Sequence, residues 1–434
     1  MPLPSRASWS RFGTAVLGAS LGGVVGGLVV VGVILVLKAG IDFAGAQDTW
    51  YVVVVPLLGL ALTVLVLQGI GTDKPGRAWW RTFPSSAIRA DISGDVVDCA
   101  GEEERFPWRL APIRTLAIIA TVASGGAMGT EAPAAYLGVA ADCALADRGR
   151  WWRRLLRPAS LAGGAAGVSA LMALPLVGTV FMLELGRRRR APLSAERVAA
   201  AVIGGFIGYA INATFNLNLI RLVVPKEPPA TFVQAAITAL FIGVASGVIS
   251  SLAGMAVYRA KKWQAPPLVR LALGGAATVV TALLLVRIAS PAAAVGPGGG
   301  AILWSETVTA LPLTLLAVCL LRAVATTAAV AAGGCGGVFV PFLAVGDIAG
   351  RVFAPGLGIG NDLAGAAGAA GGIAGGYRLP LTAVAMEISV GGPYRATLTC
   401  LVTIVIAYYA GVGIELALGK LRALVLPAKH APVH

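Results

Sequence analysis

Between Gly13 and Leu37 the chain carries no charged side chain. Such a run is long enough to cross the hydrocarbon core of a bilayer, which takes about 20 residues per helix. Further apolar stretches lie near 51–70, 111–146, 160–185, 198–223, 231–258, 268–288, 308–355, 363–390 and 396–419. Charged residues make up only 12% of the 434, against about 25% in soluble domains. The chain is therefore read as an all-α, polytopic membrane protein. Several stretches are too short, too long or too rich in glycine for one clean span. They predict broken and re-entrant helices, which are tolerated only where protein or a water-filled cavity covers the exposed backbone.

The net charge of +14 does not imply nucleic acid. Arg and Lys gather at the ends of apolar segments: Arg6 and Arg11; Lys74, Arg77 and Arg81; Arg148 to Arg157; Arg187 to Arg190; Lys261 and Lys262. Basic clusters in short loops beside spans mark the cytoplasmic side. They place the N-terminus there, in the inner (plasma) membrane, and can also draw anions toward a cytoplasmic vestibule. The apolar run after Arg11 is too long for the core of a secretory signal, so it is read as a retained helix. Its Gly22/Gly26 and Gly23/Gly27 pairs suit close approach of a neighbouring helix. The nine tryptophans fall mostly at segment ends, as an interfacial belt does.

Five cysteines without CxxC spacing indicate neither a zinc site nor a disulfide framework. The two histidines, His430 and His434, lie in the tail, which removes the commonest general base and metal ligand from the body. P-loop and GxSxG patterns are absent from the sequence. No cofactor or metal is expected, and an enzymatic role for a buried acid lacks a second catalytic group.

Two short motifs carry the chemistry. "GGCGGVFVPFLAVG" (333–346) puts four glycines before an apolar helix start, with Pro341 acceptable in the first turn. A helix beginning inside a membrane offers free N–H groups and a partial positive charge. That end binds an anion without a full cation, weakly enough to release it, and glycine lets the ligand reach the backbone. From this motif alone, a glycine-rich packing helix accounts for the pattern equally well. "GGAMGTEAPAAYLG" (125–138) repeats the theme and adds a carboxylate, Glu131, at the presumed helix start. An ionisable residue inside an apolar segment marks function. Ionised, Glu131 can occupy the anion site; protonated, it loses that attraction, which makes a proton-dependent gate.

These motifs resemble those of the CLC family of chloride channels and chloride/proton antiporters. "GTEAP" (129–133) is similar to its GREGP or GKEGP motif, and "GVFVP" (337–341) to GxFxP. "YRLPLTAVAMEIS" (377–389) is similar to its R-x-P-L-T segment leading to a glutamate, here Glu387. "ALPLVGTVFMLEL" (173–185) resembles the stretch that ends the first repeat. The resemblance covers roughly residues 15–420. It implies a homodimer in the bilayer, each subunit an inverted repeat with its own path for chloride or a similar monovalent anion, and a role for protons. It also implies a tail at 1–12, a transmembrane domain at 13–420 with repeats at about 51–190 and 198–420, and a tail at 421–434. Glu131 takes the place of the gating glutamate. Thr130, Glu131, Ala132, Gly337, Val338 and Phe339 would line the anion sites.

Departures from the family pattern bear on mechanism. The nearest counterpart of GSGIP is "SSAIR" (85–89), which makes Ser86 the anion-binding hydroxyl. A placement anchored on "WRLAP" (108–112) puts Ala90 there instead, with no hydroxyl; and Ser86 also reads as a helix cap. Leu185 occupies the position of the antiporters' internal proton-transfer glutamate. Glu184 is the candidate relay, or a cap and pairing group near Arg187 to Arg190. The pore tyrosine aligns with Leu416, and Ala132 replaces a glycine. Glu306, Glu415, Asp142, Asp347 and Asp362 are assigned to caps and interfacial pairs. The expectation is anion transport, passive or loosely proton-coupled, ahead of tight chloride/proton exchange. Fluoride handling and organic-acid transport rank lower, the latter resting on Asn212, Asn216, Asn218 and Arg221.

Overall fold

The computed structural model describes residues 6–69, 108–156, 160–188, 190–217 and 220–425, with single positions between 92 and 106. Among them the chain is helical throughout. The opening apolar run forms α1 (Arg6–Gly45), followed by α2 (Thr49–Gly69). At about 1.5 Å per residue α1 is about 60 Å long, about twice the thickness of a bilayer's hydrocarbon core. After a 3₁₀ turn at Trp108–Leu110 come α3 (Ala111–Val122), α4 (Glu131–Ala146), α5 (Arg150–Leu156), α6 (Ser160–Met172) and α7 (Pro175–Arg188). Next are α8 (Ala195–Phe215), α9 (Phe232–Lys262), α10 (Pro267–Ile288), α11 (Pro291–Ala294), α12 (Gly299–Thr307) and α13 (Pro312–Ala331). The chain continues with α14 (Phe339–Arg351), α15 (Ala354–Leu357), α16 (Asn361–Gly372), a π-helical turn at Ile373–Tyr377, α17 (Pro380–Val390) and α18 (Tyr394–Val425).

Seven of the described helices are long and apolar enough to cross a membrane, α1, α2, α8, α9, α10, α13 and α18. The shorter ones sit among them. The apolar stretch 111–146 is divided into α3 and α4, and 308–355 is divided chiefly into α13 and α14. Both breaks use the same device. Gly125 and Gly333 take left-handed φ values of 95° and 98°, a conformation in which a side chain is strained. The next amide folds back onto the helix it has just left, Gly126 N to Thr121 O and Gly334 N to Ala329 O, each 2.9 Å. That bond satisfies a terminal carbonyl and turns the chain into the short segment before α4 or α14.

Small residues set the packing distances. Gly26 of α1 lies against Gly163 of α6 and Gly138 of α4, where a Cβ would come within 2.6 Å of the Gly163 Cα. Several buried charges are paired. Arg351 donates to Asp347 at 2.6 Å and reaches Glu306 at 3.4 Å, and Arg221 also binds Glu306. Asp142 accepts from Gly163 N, Asp362 accepts from Lys226 N and Leu363 N, and Glu415 pairs with Arg378 at 2.8 Å. The five carboxylates assigned to caps and pairs thus have such partners.

Candidate functional site

α4 and α14 begin at the same place. Gly129 and Gly337 form an isolated antiparallel bridge, with Gly129 N to Gly337 O and Gly337 N to Gly129 O both 2.7 Å. Thr130 and Val338 are the N-caps, neither giving a side-chain cap bond. The first-turn amides of both helices therefore point toward one buried spot. Glu131, the first residue of α4, does not bond its own helix start alone. Its Oε1 accepts from Phe339 N, the first amide of α14, at 2.6 Å. A carboxylate thus sits where a helix N-terminus favours an anion. A Cβ at Gly337 would collide with Oε1, and one at Gly129 with Oε2. At both glycines the bare backbone leaves room for the Glu131 carboxylate in this position.

Thr130, Glu131, Ala132, Val338 and Phe339 are all almost wholly buried. Together with Gly337 they lie where the two helix starts meet. Thr130 Oγ1 and Glu131 Oε2 have no protein partner among the described residues. Ser86 and its rival Ala90 lie outside the described residues. Beyond Met128 and Gly336 the site adjoins a cavity of about 810 Å³, whose lining includes Lys261, Lys262 and Arg270.

Glu184 stands elsewhere, at the start of α17. Its carboxylate accepts from Leu381 N at 3.0 Å, Thr382 N at 2.8 Å and Thr382 Oγ1 at 2.7 Å. It caps a helix, although the helix is α17 and not the end of its own. Arg188, expected near it, donates to the carbonyls of Tyr377 and Arg378. Leu185 is buried. Leu416 is 62% exposed, on an α18 that runs unbroken to Val425. The organic-acid cluster disperses: Asn212 donates to Ala170 O, Asn216 ends α8 in a left-handed cap, and Arg221 binds Glu306; Asn218 lies outside the described residues.

Two features were missed in the sequence. Tyr377, on the π-helical turn, meets the Phe339 ring edge-to-face at 5.8 Å and the Phe342 ring at 6.3 Å. Its closeness to Phe339 is tertiary, so local spacing carries no signal for it. The second feature is a pair of fully buried arginines, Arg114 of α3 and Arg322 of α13. Arg322 donates to Ala294 O at 3.1 Å and Gly296 O at 2.6 Å, and Gly296 N in turn donates to Gly125 O at 2.8 Å. Arg114 lies over the Tyr136 ring at 5.1 Å.

These arginines had a readable signal. Glu131 and Phe339 are 208 residues apart. Arg114 and Arg322, Gly125 and Gly333, Gly129 and Gly337, and Pro133 and Pro341 keep that same separation. A second internal match is "ALPL" (173–176) with "RLPL" (378–381). Ala173 and Arg378 both take left-handed φ, 57° and 62°, ahead of the prolines that open α7 and α17. The bridge therefore pairs corresponding glycines of two internal repeats.

The family model for the voltage gated chloride channel matches residues 95–411. The H(+)/Cl(-) exchange transporter ClcA of Yersinia pestis is 26% identical over 325 residues, 70% of this chain and 66% of that protein. The voltage-gated ClC-type chloride channel ClcB of Escherichia coli is 25% identical over 343 residues, 74% of this chain and 72% of its own length. A slow cyanobacterial Cl-/H+ antiporter aligns with TM-score 0.69 at 17% identity, over 94% of this chain and 98% of that one. A CLC-type fluoride/proton antiporter aligns with TM-score 0.67 at 20% identity, over 94% and 96%. The fold is that of these transporters. By the match over most of its length, by the fold, and by the paired helix starts around Glu131, the chain belongs to the voltage gated chloride channel family.

Proposed function

We propose that this protein carries a monovalent anion, chloride first, across the membrane along a path gated by Glu131. The observation that supports this is the Glu131 carboxylate on the Phe339 amide, at the meeting point of two helix starts. An ionised Glu131 holds that place against a permeant anion. Protonation removes its charge, weakens the bond to the amide and frees the place. In the full site Thr130, Ala132, Gly337 and Val338 supply backbone, Phe339 supplies the amide, and Ser86 supplies a hydroxyl.

The protein works as a homodimer in the inner membrane with its N-terminus cytoplasmic, with the repeats at about 51–190 and 198–420. A passive or loosely coupled pathway is favoured. Leu185 cannot carry a proton, and both Glu184 oxygens already accept at the start of α17. A second reading, chloride/proton antiport, draws on the exchange activity in the name of the Yersinia relative. Fluoride handling draws only on a fold neighbour.

Liposomes reconstituted with the purified protein separate these readings when chloride efflux and external pH are followed together. Chloride flux without driven protons is expected. Uphill proton movement driven by chloride would establish antiport. Absence of any halide flux would overturn the anion reading of Glu131 and of the α14 start.

A further inference from the structure

A second cavity, of about 620 Å³, lies between α9, α10 and α13, within the range of about 300–1,000 Å³ usual for ligand sites. All three helices are apolar and long enough to span a membrane. Its walls include Leu252, Ala256, Leu273, Ala277, Ala323 and Val324. The Thr327 hydroxyl in the lining is already spent on Ala323 O at 2.9 Å. Leu252, Leu273 and Val324 are 42%, 60% and 48% exposed, so the cavity is a groove open on the outer face of the helices. An apolar groove facing lipid takes hydrocarbon.

One end of the groove is chemically different. Trp263 lines both this groove and the 810 Å³ cavity that holds Lys261, Lys262 and Arg270. Among the described residues, Lys262 and Arg270 form no ion pair. Lys262 Nζ lies 4.3 Å over the Tyr258 ring. Arg270 spends Nε and Nη2 on the carbonyls of Ala331 and Val330, at 3.0 and 3.1 Å, and Nη1 remains. A tryptophan between an apolar slot and clustered cations is the arrangement found at the membrane–water boundary. Basic residues at that depth attract anionic headgroups.

We propose that this groove binds one anionic phospholipid, with an acyl chain between α9, α10 and α13 and its phosphate on Lys262 and Arg270 beside Lys261. Phosphatidylglycerol fits and phosphatidylcholine does not, because the choline cation cancels the charge the lysines attract. The headgroup then lies in the cavity also lined by Gly333, Gly334 and Gly336, on the approach to the α14 start. Arg270 links the two, since the carbonyls it holds are the last of α13 before Gly333.

The test is native mass spectrometry of the full chain in detergent, titrated with phosphatidylglycerol or phosphatidylcholine. Phosphatidylglycerol should be retained more tightly. Lys262→Gln should weaken it about fivefold, the effect of one basic charge near an anionic headgroup. Ala277→Phe, which fills the groove, should weaken phosphatidylglycerol retention as well. Equal retention of the two lipids, or phosphatidylglycerol retention untouched by both substitutions, would overturn the proposal. A second readout covers a variant that does not fold. Phosphatidylglycerol brominated on its acyl chain should quench the fluorescence that Trp263→Phe removes; quenching that is the same with and without Trp263 counts against the site.

Discussion

In the proposed mechanism Glu131 competes with the ion it gates, and its own titration decides the contest. A hydrogen bond to a charged group contributes about 1 to 1.5 kcal/mol more than one to a neutral group, so losing the charge shifts occupancy of the Phe339 amide by about five- to tenfold. Flux should therefore rise as pH falls through the titration of Glu131. Glu131→Gln should give high flux that no longer responds to pH, measured as chloride efflux from liposomes across an acid series. Unchanged flux with unchanged pH dependence would remove Glu131 from the gate. Gly337→Ala tests the same geometry from the other side: its methyl would collide with Oε1, so the carboxylate must leave the amide. That variant should lose pH dependence while Glu131 is intact. Glu131, Gly337, Val338 and Phe339 were legible because a helix start is written in a few adjacent residues. Tyr377 was not, because only folding brings it to Phe339. For the ring, Tyr377→Ala should alter selectivity among halides while Tyr377→Phe preserves it; equal effects of both would shift the role from ring to hydroxyl.

Individual helices are stopped and started by side chains from far away in sequence. α17 begins without a side-chain cap of its own and receives one from Glu184 of α7. Removing a cap costs about 0.5–2 kcal/mol. Glu184→Ala should lower thermal stability by an amount in that range, read in a detergent melt, and leave the proton-to-chloride ratio as it was. A changed ratio with unchanged stability would make Glu184 a relay instead. The sequence shows why Glu184 looked local: the basic run Arg187 to Arg190 follows it at once, but Arg188 turns to the carbonyls of Tyr377 and Arg378. Helix boundaries were half legible for the same reason. Apolar runs reveal a span, whereas the breaks at Gly125 and Gly333 depend on φ, which hydropathy does not report. The 208-residue correspondence carried that information, and it extends to Arg114 and Arg322.

At the level of the whole molecule, α8, α7, α17 and α18 adjoin one another and carry Phe206, Tyr209, Leu381, Ile388 and Tyr409 outward. This exposed apolar face is the one that the proposed homodimer would bury. Ile388→Trp should shift the purified protein from a pair to a single chain in light scattering; an unchanged mass would move the contact elsewhere. The Gly129–Gly337 bridge joins glycines 208 residues apart, which bears on biosynthesis. The amide that receives Glu131 belongs to a residue made 208 positions later. While the ribosome is still translating the second half, the first half holds an acidic group in the bilayer without its eventual partner, where a charge is costly. The nascent protein must therefore keep Glu131 protonated or in contact with water until Phe339 arrives. A chain that stops before Phe339 has half of each bond, so the arrangement around Glu131 cannot form until that residue is made.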